Sequence, residues 1–119
     1  MTVIIPSEHE EQVAVVQWCK LNKIFAVAVA NGFHTNGKKD GRFFGMMKSL
    51  EKEGYSKGFP DLVIIVPNGG VMFLEMKRLK GSKTSPEQAK WNDDLTESGH
   101  HSVVCKGFDE AIEAIKGFM

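Results

Sequence analysis

The sequence predicts an α/β domain with a central mixed β-sheet flanked by helices. Three observations carry that prediction. Two capping boxes, Ser7 with Glu10 and Ser85 with Gln88, mark helix starts. Apolar, β-branched runs alternate with the helical segments. The runs Leu62 to Val66 and Val71 to Met76 are apolar on both faces, as expected of central strands covered from each side.

The elements follow in order. The first helix starts after Pro6-Ser7 and spans about 8–22, with Val13, Val16 and Leu21 on one side and Trp18 and Cys19 near its end. Ile24 to Ala30 (IFAVAVA) reads as a strand. Asn31 to Gly45 holds four glycines among polar residues, a long loop of the kind that carries function. Within Phe43 to Lys52 lies a short helix stopped by Gly54. Its FFGMM segment (43–47) suits either core packing or an interface. After Gly58-Phe59-Pro60 come the two buried strands, joined by the turn Pro67-Asn68-Gly69-Gly70. Pro86 takes the first position of the next helix, which carries Ala89, Trp91 and Leu95 and stops near Gly99. His101 to Cys105 is the last strand. A final helix begins at Phe108 or Asp109 and carries Ala111, Ile112 and Ile115. The order is α-β-(loop, short helix)-β-β-α-β-α. It contains no repeat, linker or low-complexity tract, so one domain over 1–119 is expected.

Composition narrows the function classes. The 119 residues are 42% hydrophobic and 25% charged, which suits a soluble globular chain. No apolar run approaches the ~18 residues of a membrane span. The N-terminus MTVIIPSEHE lacks the basic and apolar regions of a secretory signal. Cys19 and Cys105 have no metal-ligand spacing and read as reduced thiols of a cytoplasmic protein. A formal net charge of zero argues against a simple nucleic-acid coating protein. The charges are nevertheless segregated. Lys77, Arg78, Lys80 and Lys83 are basic without an acid, and so, apart from Asp40, are Lys38, Lys39 and Arg42. Acids gather at Glu8 to Glu11 and Asp109 to Glu113.

The chemistry concentrates at the ends of the two buried strands. Asp61 precedes the first, and Glu75-Met76-Lys77 closes the second. Residues two apart in a strand share a face, so Glu75 and Lys77 point the same way. The hairpin folds Asp61 back towards them. A loop of three or five residues puts Asp61 on their face; two or four would put it opposite Met76. The chemistry requires the odd loop, or a bulge or twist that restores the match. Two such carboxylates repel unless a cation lies between them. Oxygen ligands on a rigid sheet suit Mg²⁺ or Mn²⁺, with the Met76 backbone carbonyl as a further ligand. Lys77 would hold the attacking water or offset charge on a phosphate. The bland alternative makes Asp61 a turn cap and Glu75 with Lys77 a surface ion pair. The four apolar residues before Glu75 and the basic run after Lys77 weigh against it.

At these residues the chain resembles a PD-(D/E)XK nuclease: Pro60-Asp61, thirteen residues, then Glu75-Met76-Lys77. More closely it is similar to one branch, the virus-type replication-repair nuclease (VRR-NUC) domain. The matching pieces are Ser7-Glu8 with Gln12 and Trp18, Asn31-Gly32, Gly58-Phe59-Pro60-Asp61-Leu62, Phe73-Leu74-Glu75-Met76-Lys77, Ser85-Pro86-Glu87-Gln88 with Trp91, and Gly107-Phe108-Asp109-Glu110-Ala111. They run in the family's order over nearly the whole chain.

The resemblance implies a single restriction-endonuclease-like domain that hydrolyses DNA phosphodiester bonds with Mg²⁺ or Mn²⁺. Asp61 and Glu75 would hold the metal, and Lys77 would stand beside the attacking water. An acid of the first helix belongs to the family site; Glu8 fits best, Glu11 is the fallback, and Glu10 serves as a cap. Gln88 would approach from the second long helix, with capping as its alternative role. Stand-alone members are similar to Holliday-junction resolvases, so the expected protein is a homodimer acting on branched DNA in recombination or repair. The first helix or the 43–47 segment would form its interface. A flap or restriction-type nuclease, or a non-catalytic nucleic-acid-binding module of the same fold, are the alternatives.

Lys38, Lys39 and Arg42, with Arg78, Lys80 and Lys83, are the expected DNA-backbone contacts. A merely solvated loop remains the other reading for the first three. His34 reads as an exposed loop residue, with phosphate contact as the alternative, and His100 and His101 as residues flanking a strand.

Overall fold

A computed structural model describes residues 4–29 and 40–119. Its elements are α1 (Glu8–Leu21), β1 (Phe25–Ala28), α2 (Gly41–Lys52), β2 (Leu62–Ile65), β3 (Val71–Lys77), α3 (Pro86–Glu97), β4 (His101–Lys106) and α4 (Gly107–Phe118). The order agrees with the sequence reading. Both capping boxes form: Ser7 accepts from Glu10 N–H and Ser85 from Gln88 N–H, and each N3 side chain bonds back. Local hydrogen bonding therefore sets both helix starts, independent of tertiary packing.

The four strands pair in the order β1-β2-β3-β4. The first two pairings are antiparallel and β3 with β4 is parallel, so the sheet is mixed. Leu62, Ile64, Met72, Leu74 and Met76 point to one face and are fully buried. There they join Val15 and Cys19 of α1 and Ala111 and Ile115 of α4 in the core. The opposite face carries Val63, Phe73, Glu75 and Lys77, and α3 packs on its β4 side.

Five expectations need correction. The buried stripe of α1 is Glu11, Val15 and Cys19, while Val13 and Leu21 are exposed. Glu11 lies buried because its carboxylate accepts a hydrogen bond from the Phe108 N–H at the start of α4, whose own N-cap Lys106 supplies no side-chain bond. α2 starts at Gly41, because Asp40 caps it through Arg42 and Phe43 N–H. α4 starts at Gly107, whose φ of +84° is a glycine conformation and whose missing side chain leaves room for Leu79. The two central strands are not covered evenly on both faces: Ile65 is 36% and Val71 40% exposed, since α3 reaches only the β4 half. The FFGMM segment is not core, for α2 contains no buried residue. Ala30, the expected strand end, lies outside the described residues.

Candidate active site

The hairpin register decides where the acids meet. Leu62 pairs with Leu74 and Ile65 with Val71. Val66 N–H then bonds Gly70 carbonyl across Pro67-Asn68-Gly69, the odd loop that the chemistry required. Extended by one residue, this register sets Asp61 opposite Glu75 on one face. Asp61 is tied down on both sides. Its carbonyl accepts from Val29 N–H at 2.8 Å, and its Oδ2 accepts from Met76 N–H at 3.0 Å.

Two further elements complete the cluster. The first turn of α1 brings Glu8 over the end of the sheet. Carboxylate oxygens of Glu8, Asp61 and Glu75 lie within 4.8 Å of one another. From α3, Gln88 joins the site to the helix. Its Oε1 accepts from Lys77 Nζ at 2.7 Å and from Ser85 N–H at 3.0 Å, and its Nε2 donates to Glu75 Oε2 at 3.2 Å. Gly58 allows this approach. Its φ is +88°, and a Cβ there would stand 2.6 Å from the Glu87 carbonyl carbon. The Gly58-to-Asp61 segment can therefore lie against the start of α3.

Burial makes the cluster electrostatically costly. Glu75 is 3% and Lys77 6% exposed. Burial, then the neighbouring Asp61 carboxylate, push the Glu75 carboxyl up to about 9, against the lowering effect of Lys77. Burial also raises Glu8; Lys77 opposes the shift and Asp61 adds to it. Glu75 Oε1 is buried with no hydrogen-bond partner among the described residues. Among the described residues Lys77 forms no ion pair, so the surface Glu75–Lys77 pair is not what holds these residues. Three oxygen-bearing acids, one orphaned oxygen and an ammonium set to one side make a donor set that fits a hard divalent cation.

The other expected residues divide. Glu10 caps α1 through Ser7. Glu11, the fallback acid, is spent on α4 and stands outside the cluster. Gln88 fills both of its alternative roles, cap and site contact. Met76 buries its side chain in the core and gives its N–H to Asp61. Arg78 is exposed, but its guanidinium reaches the carbonyls of Ile5 and Pro6, each at 3.4 Å, in the segment that leads into α1. Lys80 and Lys83 are exposed on the loop after β3. Arg42 is exposed on the first turn of α2. His100 packs edge-on to Phe73, and the His101 ring stacks on Phe118. Asn31, Gly32, His34, Lys38 and Lys39 lie outside the described residues.

One cation escaped the sequence reading. Lys106 pairs in register with Lys77, so it ends the neighbouring strand on the same face. The only sequence signal was that both strands finish on a lysine. The parallel pairing that aligns them is a non-local contact.

The VRR-NUC domain family model matches residues 6–109. A solved structure named VRR_NUC domain protein is 23% identical; the match covers 97% of this chain and 89% of that one, with a TM-score of 0.69. Another, named VRR_NUC domain, is 16% identical, covers 96% and 100%, and has a TM-score of 0.65. None of the curated proteins compared matches the chain.

Proposed function

The chain belongs to the VRR-NUC domain family, a nuclease-type domain, and from that premise we propose that it is a metal-dependent, structure-selective DNA endonuclease, a homodimeric resolvase of four-way junctions. The observation that carries the reading is the convergence of Glu8, Asp61 and Glu75, with the unpartnered Glu75 Oε1 among them. These acids, with the Met76 carbonyl, would hold Mg²⁺ or Mn²⁺. Such an ion, when bound, acidifies water and stabilises charge on a phosphoryl oxygen.

The chain's own residues supply the rest. Asp61 is kept in place by Met76 N–H, and Glu75 by Gln88 Nε2. Lys77 is held by Gln88 at the rim of the acids, where its ammonium can orient a water or offset phosphate charge. Exposed Lys80 and Lys83, on the loop that follows Lys77, and exposed Lys106, paired with Lys77 across the sheet, suit contact with the phosphate backbone. Arg42 and the Lys38-Lys39 pair would extend that contact. A four-way junction needs two symmetric cuts, which a two-fold pair of sites provides.

The test is cleavage of end-labelled four-way junction, flap and plain duplex, each with Mn²⁺, Mg²⁺ or EDTA. Cutting of the junction that needs the metal supports the reading. Equal cutting of plain duplex removes the junction preference. Binding without cutting on every DNA favours the non-catalytic module.

A further inference from the structure

A recess lies between α3 and the segment that leads to Asp61. Its volume is about 270 Å³, and it is lined by Ser56, Lys57, Glu87, Lys90, Trp91 and Asp94. Both of its walls run straight into the active site. Glu87, Lys90, Trp91 and Asp94 fall at i, i+3, i+4 and i+7 along one side of α3. Gln88, the residue after Glu87, touches Lys77 and Glu75. Ser56 and Lys57 form the other wall and open the stretch that continues through Gly58 to Asp61. Lys57 and Asp61 are therefore at most about 14 Å apart, the reach of a few nucleotide steps.

The lining gives a charged ligand little to hold. Each lysine is matched by an acid of the same pocket: Lys57 Nζ lies 3.7 Å from Glu87 Oε1, and Lys90 Nζ 2.7 Å from Asp94 Oδ2. The charges cancel, so a phosphate finds no net attraction there. What the pocket offers is an indole surrounded by polar groups. Trp91 is half-buried, and its ring is fixed from two sides. Its Nε1 donates to Ser56 Oγ at 3.0 Å, and Phe59 meets it edge-on with ring centroids 4.9 Å apart. Phe59 in turn packs edge-on against Phe73 of β3. The indole is thus set in place before any ligand arrives, which lowers the ordering cost of stacking on it. The volume falls below that of pockets for drug-sized ligands and suits a single planar ring system.

We infer that the pocket between α3 and the Ser56-Lys57 segment takes one unpaired nucleobase of the DNA, stacked on Trp91 with its edge among the polar side chains. The inference rests on the reading that the chain acts on DNA, and it gives that reading a source of structure selectivity. In plain duplex every base is paired, and drawing one out costs unpairing and unstacking; at a branch or flap a base is already free. Stacking tolerates any base, so the pocket responds to DNA structure rather than sequence.

The test reads binding in EDTA, so that cleavage plays no part. A labelled duplex with one extrahelical adenine is compared with the same duplex carrying an abasic nucleotide at that position, the phosphates being identical. The native protein should bind the first about tenfold more tightly. Trp91→Leu, if native by circular dichroism, should abolish the preference, and Trp91→Phe, which keeps a ring, should retain part of it. Without any variant, iodouracil in place of the adenine should photo-cross-link to the native protein at Trp91 or at Ser56-Lys57, located by mass spectrometry. Equal affinity for the two duplexes, a preference that survives in folded Trp91→Leu, or a cross-link outside the pocket would overturn the inference. Binding to neither duplex would remove the DNA reading and the pocket with it. A base-dependent affinity without cleavage in Mn²⁺ keeps the pocket and removes only the nuclease reading, and cleavage with base-independent affinity does the reverse.

Discussion

Lys77 donates its ammonium to Gln88 Oε1 at 2.7 Å and, among the described residues, pairs with no acid, although Glu75 lies two residues away on the same strand face. Gln88 thus holds the base and an acid of one strand apart, with its Nε2 on Glu75. A cluster kept from neutralising itself remains able to take up an outside cation.

Metal binding and cleavage should separate by residue. Asp61→Asn, Glu75→Gln and Glu8→Gln should weaken Mn²⁺ binding, measured calorimetrically, and lower cleavage about 100-fold or more. Lys77→Ala should keep Mn²⁺ affinity and lose cleavage to a similar degree. All four should still bind DNA, and EDTA should stop the native enzyme. A Glu8→Gln protein with native Mn²⁺ affinity would remove Glu8 from the metal set.

Without metal the acids should cost stability. In EDTA near neutral pH, Glu75→Gln should raise unfolding stability by about 1–3 kcal/mol, since it replaces a buried carboxyl that must either hold a proton it would lose in the unfolded chain or carry a charge facing Asp61. The pH dependence has a definite sign. The Glu75 carboxyl is raised to about 9, so the native state holds this proton more tightly than the unfolded chain. Its contribution is complete below the ordinary carboxylate range and is lost as pH rises towards 9. Saturating Mn²⁺ should reverse the ranking, giving the native protein about 2.7 kcal/mol at a hundred times its dissociation constant. Thermal unfolding with EDTA or Mn²⁺ across that pH range checks each statement.

Glu11 should matter for folding alone. Glu11→Ala removes the carboxylate that accepts from Phe108 N–H and should cost about 2 kcal/mol in urea unfolding. Mn²⁺ affinity should be unchanged. A loss of metal binding without a loss of stability would move Glu11 into the site.

Arg78 should behave unlike its basic neighbours. Lys80→Ala and Lys83→Ala should each reduce the slope of log K against log salt for DNA binding by about 0.9. Arg78→Ala should leave that slope alone and weaken Mn²⁺ binding about tenfold, because it loosens the Ile5-Pro6 segment ahead of Glu8. A reduced slope with intact metal affinity would return Arg78 to the DNA contacts.

The chain's local signals carried far. Ser7-Glu10 and Ser85-Gln88 specified two helix starts, because a capping box closes within four residues. Pro67-Asn68-Gly69-Gly70 and the flanking apolar runs specified the hairpin. The requirement that Asp61 share a face with Glu75 anticipated its register. Those are short-range matters of turn geometry and strand period, and residue order settles them.

Tertiary packing decided the rest. Glu8 and Glu11 sit one helical turn apart, and only the docking of α4 sends Glu11 to Phe108 and leaves Glu8 with the acids. Lys106 meets Lys77 through a parallel pairing whose register no local pattern encodes. The apolar run of β2 looked covered on both faces, yet α3 lies over only half the sheet. In each case the outcome depends on which distant surface arrives first to exclude water, and that is a property of the assembled layers rather than of any segment.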